Sequence, residues 1–342
     1  MSEHASGGAA RGLTAGVDVG GTKAHVLLST GDQRIVPSAA WIRGGIEGIA
    51  DGVTELVQSA SDAPVQALAV GAHGCNDRTL CAQLERALHA RLGREPAIVA
   101  LNDAELLLPS VRAAAGVGLI AGTGSIAVGY DDRAELIIAG GWGGYIGDEG
   151  SATGLFRDVA RKVAEAYDRG EPEDPVVSLL LQSIGIDHLR ELPAALARFG
   201  SPTAWAHLAP DLFARGLAVG SRLTTEALDE NAAALAGLVA SLRGRGAATD
   251  TVVAAGGVIA NAVWLEDAVR RALQRTSPAS ELVVLREPPV VGAAQLADDL
   301  ADLAAGRMPD HPIGPVLEHR HGHGSANGRT QPFVPETGAV KP

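Results

Sequence analysis

The sequence predicts an α/β fold in which one strand-rich unit is built twice. Short apolar runs alternate along the chain with longer segments of helical spacing. Strand, glycine turn, strand, polar turn, strand occurs at residues 13–40 and again at 117–139, with little residue identity between the copies. Aromatic residues are 3% of the chain against 46% hydrophobic, so the cores must be built from Ala, Val, Leu and Ile.

Residues 13–19 read as the first strand. Gly20-Gly21-Thr22 turns the chain into a second strand, 24–29, and Gly31-Asp32-Gln33 into a third, 34–40. Strand, tight turn, strand is the signal of a hairpin. Residues 46–60 have helical spacing, and 65–70 have the unbroken apolar run of a strand buried on both faces. A helix over 80–92 and a buried strand over 97–101 lead to Asn102-Asp103, with a helix expected over 104–114. The pattern then restarts with strands at 117–121, 126–130 and 134–139, turned by Gly122-Thr123-Gly124-Ser125 and Asp131-Asp132. An amphipathic helix covers 154–169. Residues 175–245 are Ala-rich and helical, broken at Pro193, Pro202 and Pro210. Strand 251–255 closes on Gly256-Gly257, and helix 262–274, strand 281–285 and helix 292–304 follow. Beyond Gly306 the chain is rich in Pro, Gly, His and polar residues without apolar period, so 306–342 is expected to be a disordered tail, its His319, His321 and His323 solvated. Residues 1–12, small and polar, are expected to be a flexible start.

A length of 342 residues suits two domains, or one large domain with a tail. The net charge of −12 repels phosphate polyanions and argues against a nucleic-acid partner. Backbone amides can still hold a small anion. Two cysteines, Cys75 and Cys81, make neither a disulfide framework nor a four-ligand zinc site, and read as reduced thiols. The start lacks a charged stretch followed by an apolar core, and no run of apolar residues is long enough to span a membrane. A cytoplasmic protein without membrane partners is expected.

Three glycine turns follow apolar strands: Gly20-Gly21-Thr22-Lys23, Gly122-Thr123-Gly124 and Gly256-Gly257. A missing Cβ lets backbone N–H groups approach a polyphosphate, and a threonine hydroxyl adds a donor. The spacings of a P-loop and of a dinucleotide-binding βαβ unit are both absent. Carboxylates accompany the turns: Asp18 ends the first strand, Asp103 ends another, and Asp148 and Glu149 lie in the Gly-rich segment 140–151. Phosphoryl transfer needs a carboxylate that directs Mg²⁺, a base that accepts a hydroxyl proton, and amides that hold the phosphates. Asp103 is the candidate base, and Asp18 the candidate for positioning hydrated Mg²⁺.

The order of these stretches resembles the acetate and sugar kinase/Hsp70/actin superfamily, in the branch that holds N-acetylglucosamine kinases and the BadF/BadG/BcrA/BcrD ATPases. The resemblance rests on Gly16-Val-Asp-Val-Gly-Gly-Thr-Lys23, Asn102-Asp-Ala104, Ile120-Ala-Gly-Thr-Gly-Ser125, Gly140-Gly-Trp-Gly143 with Gly147-Asp-Glu-Gly-Ser151, Ala255-Gly-Gly257 and Pro288-Pro-Val-Val-Gly-Ala-Ala294. These span residues 13–305; the Trp-Gly…Gly-Asp-Glu-Gly-Ser block is the most specific. The resemblance implies two ribonuclease H-like lobes, 13–115 and 116–305, the second with a helical insertion at 175–245, and a cleft between them for ATP and acceptor. Gly20, Gly21, Thr22 and Lys23 would face the β- and γ-phosphates from one lobe, and Gly122, Thr123 and Gly124 from the other. Gly256 and Gly257 would lie by the adenosine. His73, Gly74, Asn102, Asp103, Gly143 and Asp148 would line the acceptor, with Asp103 taking the proton of the attacking hydroxyl. A homodimer is carried over from the relatives.

Two loops depart from the kinases of this branch. The loop 38–45 lacks the asparagine that contacts the sugar, and the small turn after the 65–70 strand reads Gly71-Ala-His-Gly-Cys-Asn76. These departures open the expected acceptor beyond N-acetylglucosamine to unacetylated glucosamine or another amino sugar, with Arg43 and His73 as candidate contacts. Trp142 would stack on a sugar face or pack. Two other functions stay open: a nucleotide-binding regulator without turnover, and an activator ATPase of a dehydratase, which would need cysteines near Gly147–Gly150 that this chain lacks.

Overall fold

The computed structural model describes residues 12–311, 313–315 and 317–318. Two five-stranded sheets organise them. In the first, β1 (Thr14–Val19), β2 (Lys23–Leu28), β3 (Gln33–Pro37), β4 (Ala67–Ala72) and β5 (Ala97–Leu101) lie in the order β3-β2-β1-β4-β5. In the second, β6 (Val117–Ala121), β7 (Ser125–Tyr130), β8 (Leu136–Gly140), β9 (Thr251–Ala255) and β10 (Glu281–Val284) lie in the order β10-β9-β6-β7-β8. Each is a three-stranded antiparallel meander extended by two parallel strands, so the repeat seen in the sequence is a repeat of topology.

Helices cover the sheets on both faces. After β3 come α1 (Ala39–Arg43) and α2 (Gly45–Ala60); α3 (Arg78–Leu92) links β4 to β5, and α4 (Leu107–Ser110) follows a tight 3-10 turn over Asp103–Leu106. The second sheet carries α5 (Ala152–Asp168), α6 (Val176–Ile184), α7 (Leu192–Arg198), α8 (Ala209–Ala218), α9 (Arg222–Gly244) and α10 (Val263–Thr276), and the chain closes with α11 (Val290–Ala304). The inner strand β4 is apolar throughout because both its faces are buried, and it has no exposed residue. Helices α2 and α3 supply Val53, Leu56, Leu84 and Leu88 to one face of the first sheet. Helices α5, α9 and α10 supply Leu155, Phe156, Leu235 and Leu265 to the second.

The lobes exchange a helix. Helix α11, which follows the last strand of the second sheet, packs Ala293, Leu296 and Ala297 on Ala67, Ala69 and Val99 of the first. Helix α4, which follows the first sheet, packs Leu107 and Leu108 on Val253 and Ala255 of the second. Gly16 makes the α11 crossing tight: a Cβ there would sit 2.6 Å from Ala294 Cα. Chain order groups 290–304 with the second lobe; packing joins it to the first.

Four expectations are revised. The third strand stops at Pro37, because Ser38 bonds back through its hydroxyl to the Gly20 carbonyl at 2.6 Å and α1 begins. The helix expected over 104–114 is the 3-10 turn followed by one short helix, ended where Arg112 takes φ 55°. Pro193, Pro202 and Pro210 do not break helices but open them, where a missing N–H costs nothing. The tail is not disordered from 306 as expected: Ile313 and Leu317 are buried against the first sheet's α11 face, and Arg307 and His311 pair with Asp302 and Asp299. Apolar residues spaced four apart were the cue for this. Of the expected flexible start over 1–12, residues 1–11 lie outside the described residues, as do His319, His321 and His323.

Candidate active site

Strand register brings the site together. Asp18 pairs across to Gly71, and Val19 to Ala72, so the end of β1 and the loop 72–77 share one sheet edge. The His73 amide donates to the Val19 carbonyl at 2.8 Å. In the second sheet, Ile120 pairs with Ala255, which sets Gly122 beside Gly256. These are the carboxyl ends of parallel strands, where open α/β sheets bind ligands.

The turn Gly20–Thr22 is held from its own sheet by the Gly20 amide on the Lys23 carbonyl at 3.0 Å and by Ser38. Gly21 and Thr22 are exposed, and a Cβ at Gly21 would meet no protein atom within 4 Å. Packing does not require that glycine, whereas close approach of a ligand does. The turn Gly122–Gly124 is held from α5: the Ala152 amide donates to the Gly122 carbonyl at 2.8 Å, and the Thr153 hydroxyl to the Thr123 carbonyl at 2.7 Å. Thr123 is left exposed. Gly256 takes φ 120°, and a Cβ there would lie 2.7 Å from the Gly122 amide nitrogen, so the second and third turns interlock. Gly257 is open above them.

Four titratable groups converge on the cleft. Asp103 opens the 3-10 turn with its side chain 13% exposed, its Oδ1 taking the Ala104 amide at 3.1 Å. Its Oδ2 stands 3.9 Å from His73 Nδ1. Burial raises the Asp103 carboxyl above the usual range, and the His73 charge pulls it back. Asp18 is pushed up to about 7, by burial first and by the Asp103 charge second, with Lys23 opposing. Asp148 is also raised by burial, and the His73 charge acts on it from the other lobe.

Asp148 is held under strain. It takes φ 66°, a left-handed conformation costly for a residue with a Cβ. The surroundings enforce it. Its carboxylate accepts from the Ser125 amide at 3.1 Å, its carbonyl accepts from the Ser151 hydroxyl at 2.6 Å, and Gly124 leaves space for the carboxylate.

The geometry is that of two lobes whose glycine turns and carboxylates face one cleft, and comparison with known proteins agrees. The pattern of the BadF/BadG/BcrA/BcrD ATPase family matches residues 15–297. The chain belongs to this family. An N-acetylmuramic acid/N-acetylglucosamine kinase of Clostridium acetobutylicum is 25% identical over 305 residues, covering 84% of this chain and 98% of that one. An N-acetyl-D-glucosamine kinase of Dictyostelium discoideum is 28% identical over 189 residues, 53% of this chain and 59% of that one. Among solved structures, a protein assigned as an N-acetylglucosamine kinase from Chromobacterium violaceum superposes with TM-score 0.62 at 22% identity, over 84% of this chain and 99% of that one. A ROK family glucokinase from Streptomyces griseus, in complex with glucose and AMPPNP, superposes with TM-score 0.55 at 19% identity, over 84% and 99%. The structures share the fold.

In this BadF/BadG/BcrA/BcrD ATPase, Asn102, expected to line the acceptor, is tied into the turn at Asp103. Asn102 is 1% exposed; its Oδ1 accepts from the Ala104 amide and its Nδ2 donates to Asn76, both at 3.0 Å. It caps the turn that presents Asp103. His73, Gly74 and Gly143 are exposed, the glycines at φ 90° and 78°. Trp142 is 73% exposed and does not pack into a core.

The groups that hold these residues lie outside the motifs seen in the sequence. Arg157 donates to the Gly144 and Gly147 carbonyls and to Glu149, clamping the segment before Asp148. Asn231 accepts from the Gly150 amide at 2.5 Å and donates to Asp158 at 3.0 Å. A signal existed: Asp158 and Asn231 each fall on the apolar stripe of an amphipathic helix, α5 and α9, where a polar residue needs a partner.

Proposed function

We propose that the chain transfers the γ-phosphoryl group of ATP to the primary hydroxyl of an amino sugar, N-acetylglucosamine or glucosamine, with Asp103 as general base. The coarser part, a carbohydrate kinase that uses ATP, is supported by the family and by relatives named as kinases. The observation that carries the finer part is the buried Asp103 carboxylate facing His73 at the cleft, with its proton affinity raised. A base of raised affinity is a better proton acceptor near neutral pH.

In this reading Asp103 takes the proton of the sugar hydroxyl as the hydroxyl attacks the γ-phosphorus, and the bond to the bridging oxygen of ADP breaks in line. Asp148 accepts hydrogen bonds from the sugar. His73 and Asn76, both exposed on the loop 72–77, stand in for the asparagine missing from 38–45, and Trp142 offers a ring face to the sugar. Amides of Gly20–Thr22 and of Gly122–Gly124 hold the β- and γ-phosphates, Lys23 adds charge, and Gly256–Gly257 accept the adenosine.

Asp18 is the carboxylate we assign to a hydrated Mg²⁺: burial and the Asp103 charge raise its carboxyl, and a cation bound beside it would offset both. Among the described residues there is no group of three or more His, Cys, Asp or Glu placed to hold a metal ion. Bound there, the ion would neutralise charge on the phosphates, and Asp18 would orient its waters. No helix of the described residues is long and apolar enough to cross a membrane. We place the activity in the cytoplasm, in a homodimer, which size-exclusion chromatography checks.

The deciding experiment is a coupled ADP assay with ATP, Mg²⁺ and a panel of hexosamines, with Asp103→Asn beside the wild type. Sugar-dependent turnover that Asp103→Asn abolishes supports the reading; turnover retained by Asp103→Asn overturns the base, and none with any sugar overturns the acceptor class.

A further inference from the structure

Beneath the reacting groups, three elements meet at one carboxylate. Glu105 lies in the 3-10 turn two residues after Asp103, with its side chain 1% exposed. Its Oε1 accepts from the Asn102 amide at 2.8 Å. Its Oε2 accepts from Arg78 Nη2 at 2.9 Å and from the Tyr130 hydroxyl. Arg78 opens α3, directly after the acceptor loop, and Tyr130 closes β7 in the second sheet. Arg78 also donates to the Tyr130 oxygen at 3.1 Å, and its guanidinium sits 5.5 Å from the ring centroid. One carboxylate thus ties the acceptor loop, the base's own turn and the opposite lobe.

Stability alone is a poor account of this cluster. Taking a carboxylate and a guanidinium out of water costs much of what their attraction returns, and apolar packing usually does as well. Orientation is a better account. A reacting group displaced by about 1 Å can lose roughly 100-fold in rate. The backbone at Asn102, which aims Asp103, is bonded to Glu105, and Glu105 to a residue that travels with the second lobe.

We propose that Glu105, Arg78 and Tyr130 are positioning residues that fix Asp103 and set it in register with the phosphate-binding turns of the second lobe. The proposal rests on Asp103 as the base. Tyr130 is the member that reports on the other lobe. Burial and the Glu105 charge push its phenol well above the ordinary range, so it remains a donor at working pH.

The test compares Tyr130→Phe, Glu105→Gln, Arg78→Lys and Asp103→Asn, each in the full chain, by steady-state kinetics across pH and by thermal melting. Tyr130→Phe keeps the ring and is expected to lower kcat roughly 10- to 100-fold, with KM for sugar and ATP near wild type. The Glu105 charge raises the Asp103 carboxyl, so losing that charge in Glu105→Gln should shift the acidic limb to lower pH, whereas Tyr130→Phe keeps the charge and the limb. Arg78→Lys should keep more turnover than Arg78→Met, made beside it. Wild-type kcat in Tyr130→Phe, with Asp103→Asn inactive, overturns the proposal alone. So does a lower melting temperature with kcat and limb unchanged, since the cluster is then only a brace. Activity in Asp103→Asn overturns the base assignment and this proposal with it.

Discussion

His73 Nδ1 stands 3.9 Å from Asp103 Oδ2, an imidazole more than half exposed beside a carboxylate that is 13% exposed. The contact spans the loop 72–77 and the turn after β5, two parallel neighbours in the first sheet. It gives the candidate base a partner whose charge opposes the effect of burial on its carboxyl.

The first prediction follows from the sign of that contact. The His73 charge lowers the Asp103 carboxyl, which burial has raised. A base must be ionised to act, so turnover falls as pH falls through its value. Replacing His73 by Gln removes the lowering influence and should move the acidic limb of kcat/KM to higher pH. A pH–rate profile of His73→Gln that overlays the wild type would show that the pair is not coupled.

The second concerns Asp18, whose carboxyl is pushed up to about 7 against an ordinary 3.8. The folded state binds its proton more tightly than the unfolded one. Stability is therefore greatest below about pH 4 for this group and declines as pH rises from there to about 7. Asp18→Asn carries no such cost. In metal-free buffer its stability should gain on the wild type progressively across that interval, by an amount on the order of a few kcal/mol, read from thermal melts. At pH 8 it should be the more stable protein and the poorer enzyme, with a weaker dependence of rate on Mg²⁺. A melting difference independent of pH would refute the assignment.

The third concerns Asp148 at φ 66°. Asp148→Gly removes both the side chain and the left-handed penalty, whereas Asp148→Ala removes the carboxylate and keeps the strain, about 1 kcal/mol. The glycine variant should melt above the alanine variant. Both should raise the KM for sugar more than that for ATP, because in the proposed reading Asp148 accepts hydrogen bonds from the sugar. Equal effects on both KM values would mean that Asp148 shapes the whole cleft.

How much of this was legible in the sequence can be argued from particular residues. The strands were, because Val17–Val19 and Leu68–Val70 have no exposed face to advertise any other structure. The three turns were, because glycine is needed where Gly256 crosses Ala121 and Gly122. The supports of the candidate site were not. Asn102 reads as a polar residue at a strand end, and only three dimensions show its side chain bonded to Ala104 and Asn76. Tyr130, Arg78 and Glu105 lie 52, 27 and 25 residues apart in the pairs they make with one another, and no local pattern announces a contact across two lobes. The exchange of α4 and α11 is equally silent, since each helix is apolar on one face whichever sheet it covers.

The last prediction takes up the segment after α11, which composition alone assigned to disorder. Leu317 is fully buried and Ile313 is 8% exposed, both on the α11 face of the first sheet. A cavity of about 20 Å³ lined by Tyr130, Glu105, Leu296 and Pro315 lies beside them, so the segment also closes the back of the base's turn. Leu317→Ala should cost roughly 2–5 kcal/mol, the range for deleting a buried leucine. Truncation after Gly306 removes both apolar residues and the His311–Asp299 pair, and should lower the melting temperature further. Truncation after Glu318 keeps all three and should melt with the full chain. If truncation at 306 and at 318 melt alike, the contacts of Ile313 and Leu317 contribute nothing to the fold. If they differ only in kcat, the segment acts on Glu105 and Tyr130 rather than on the core.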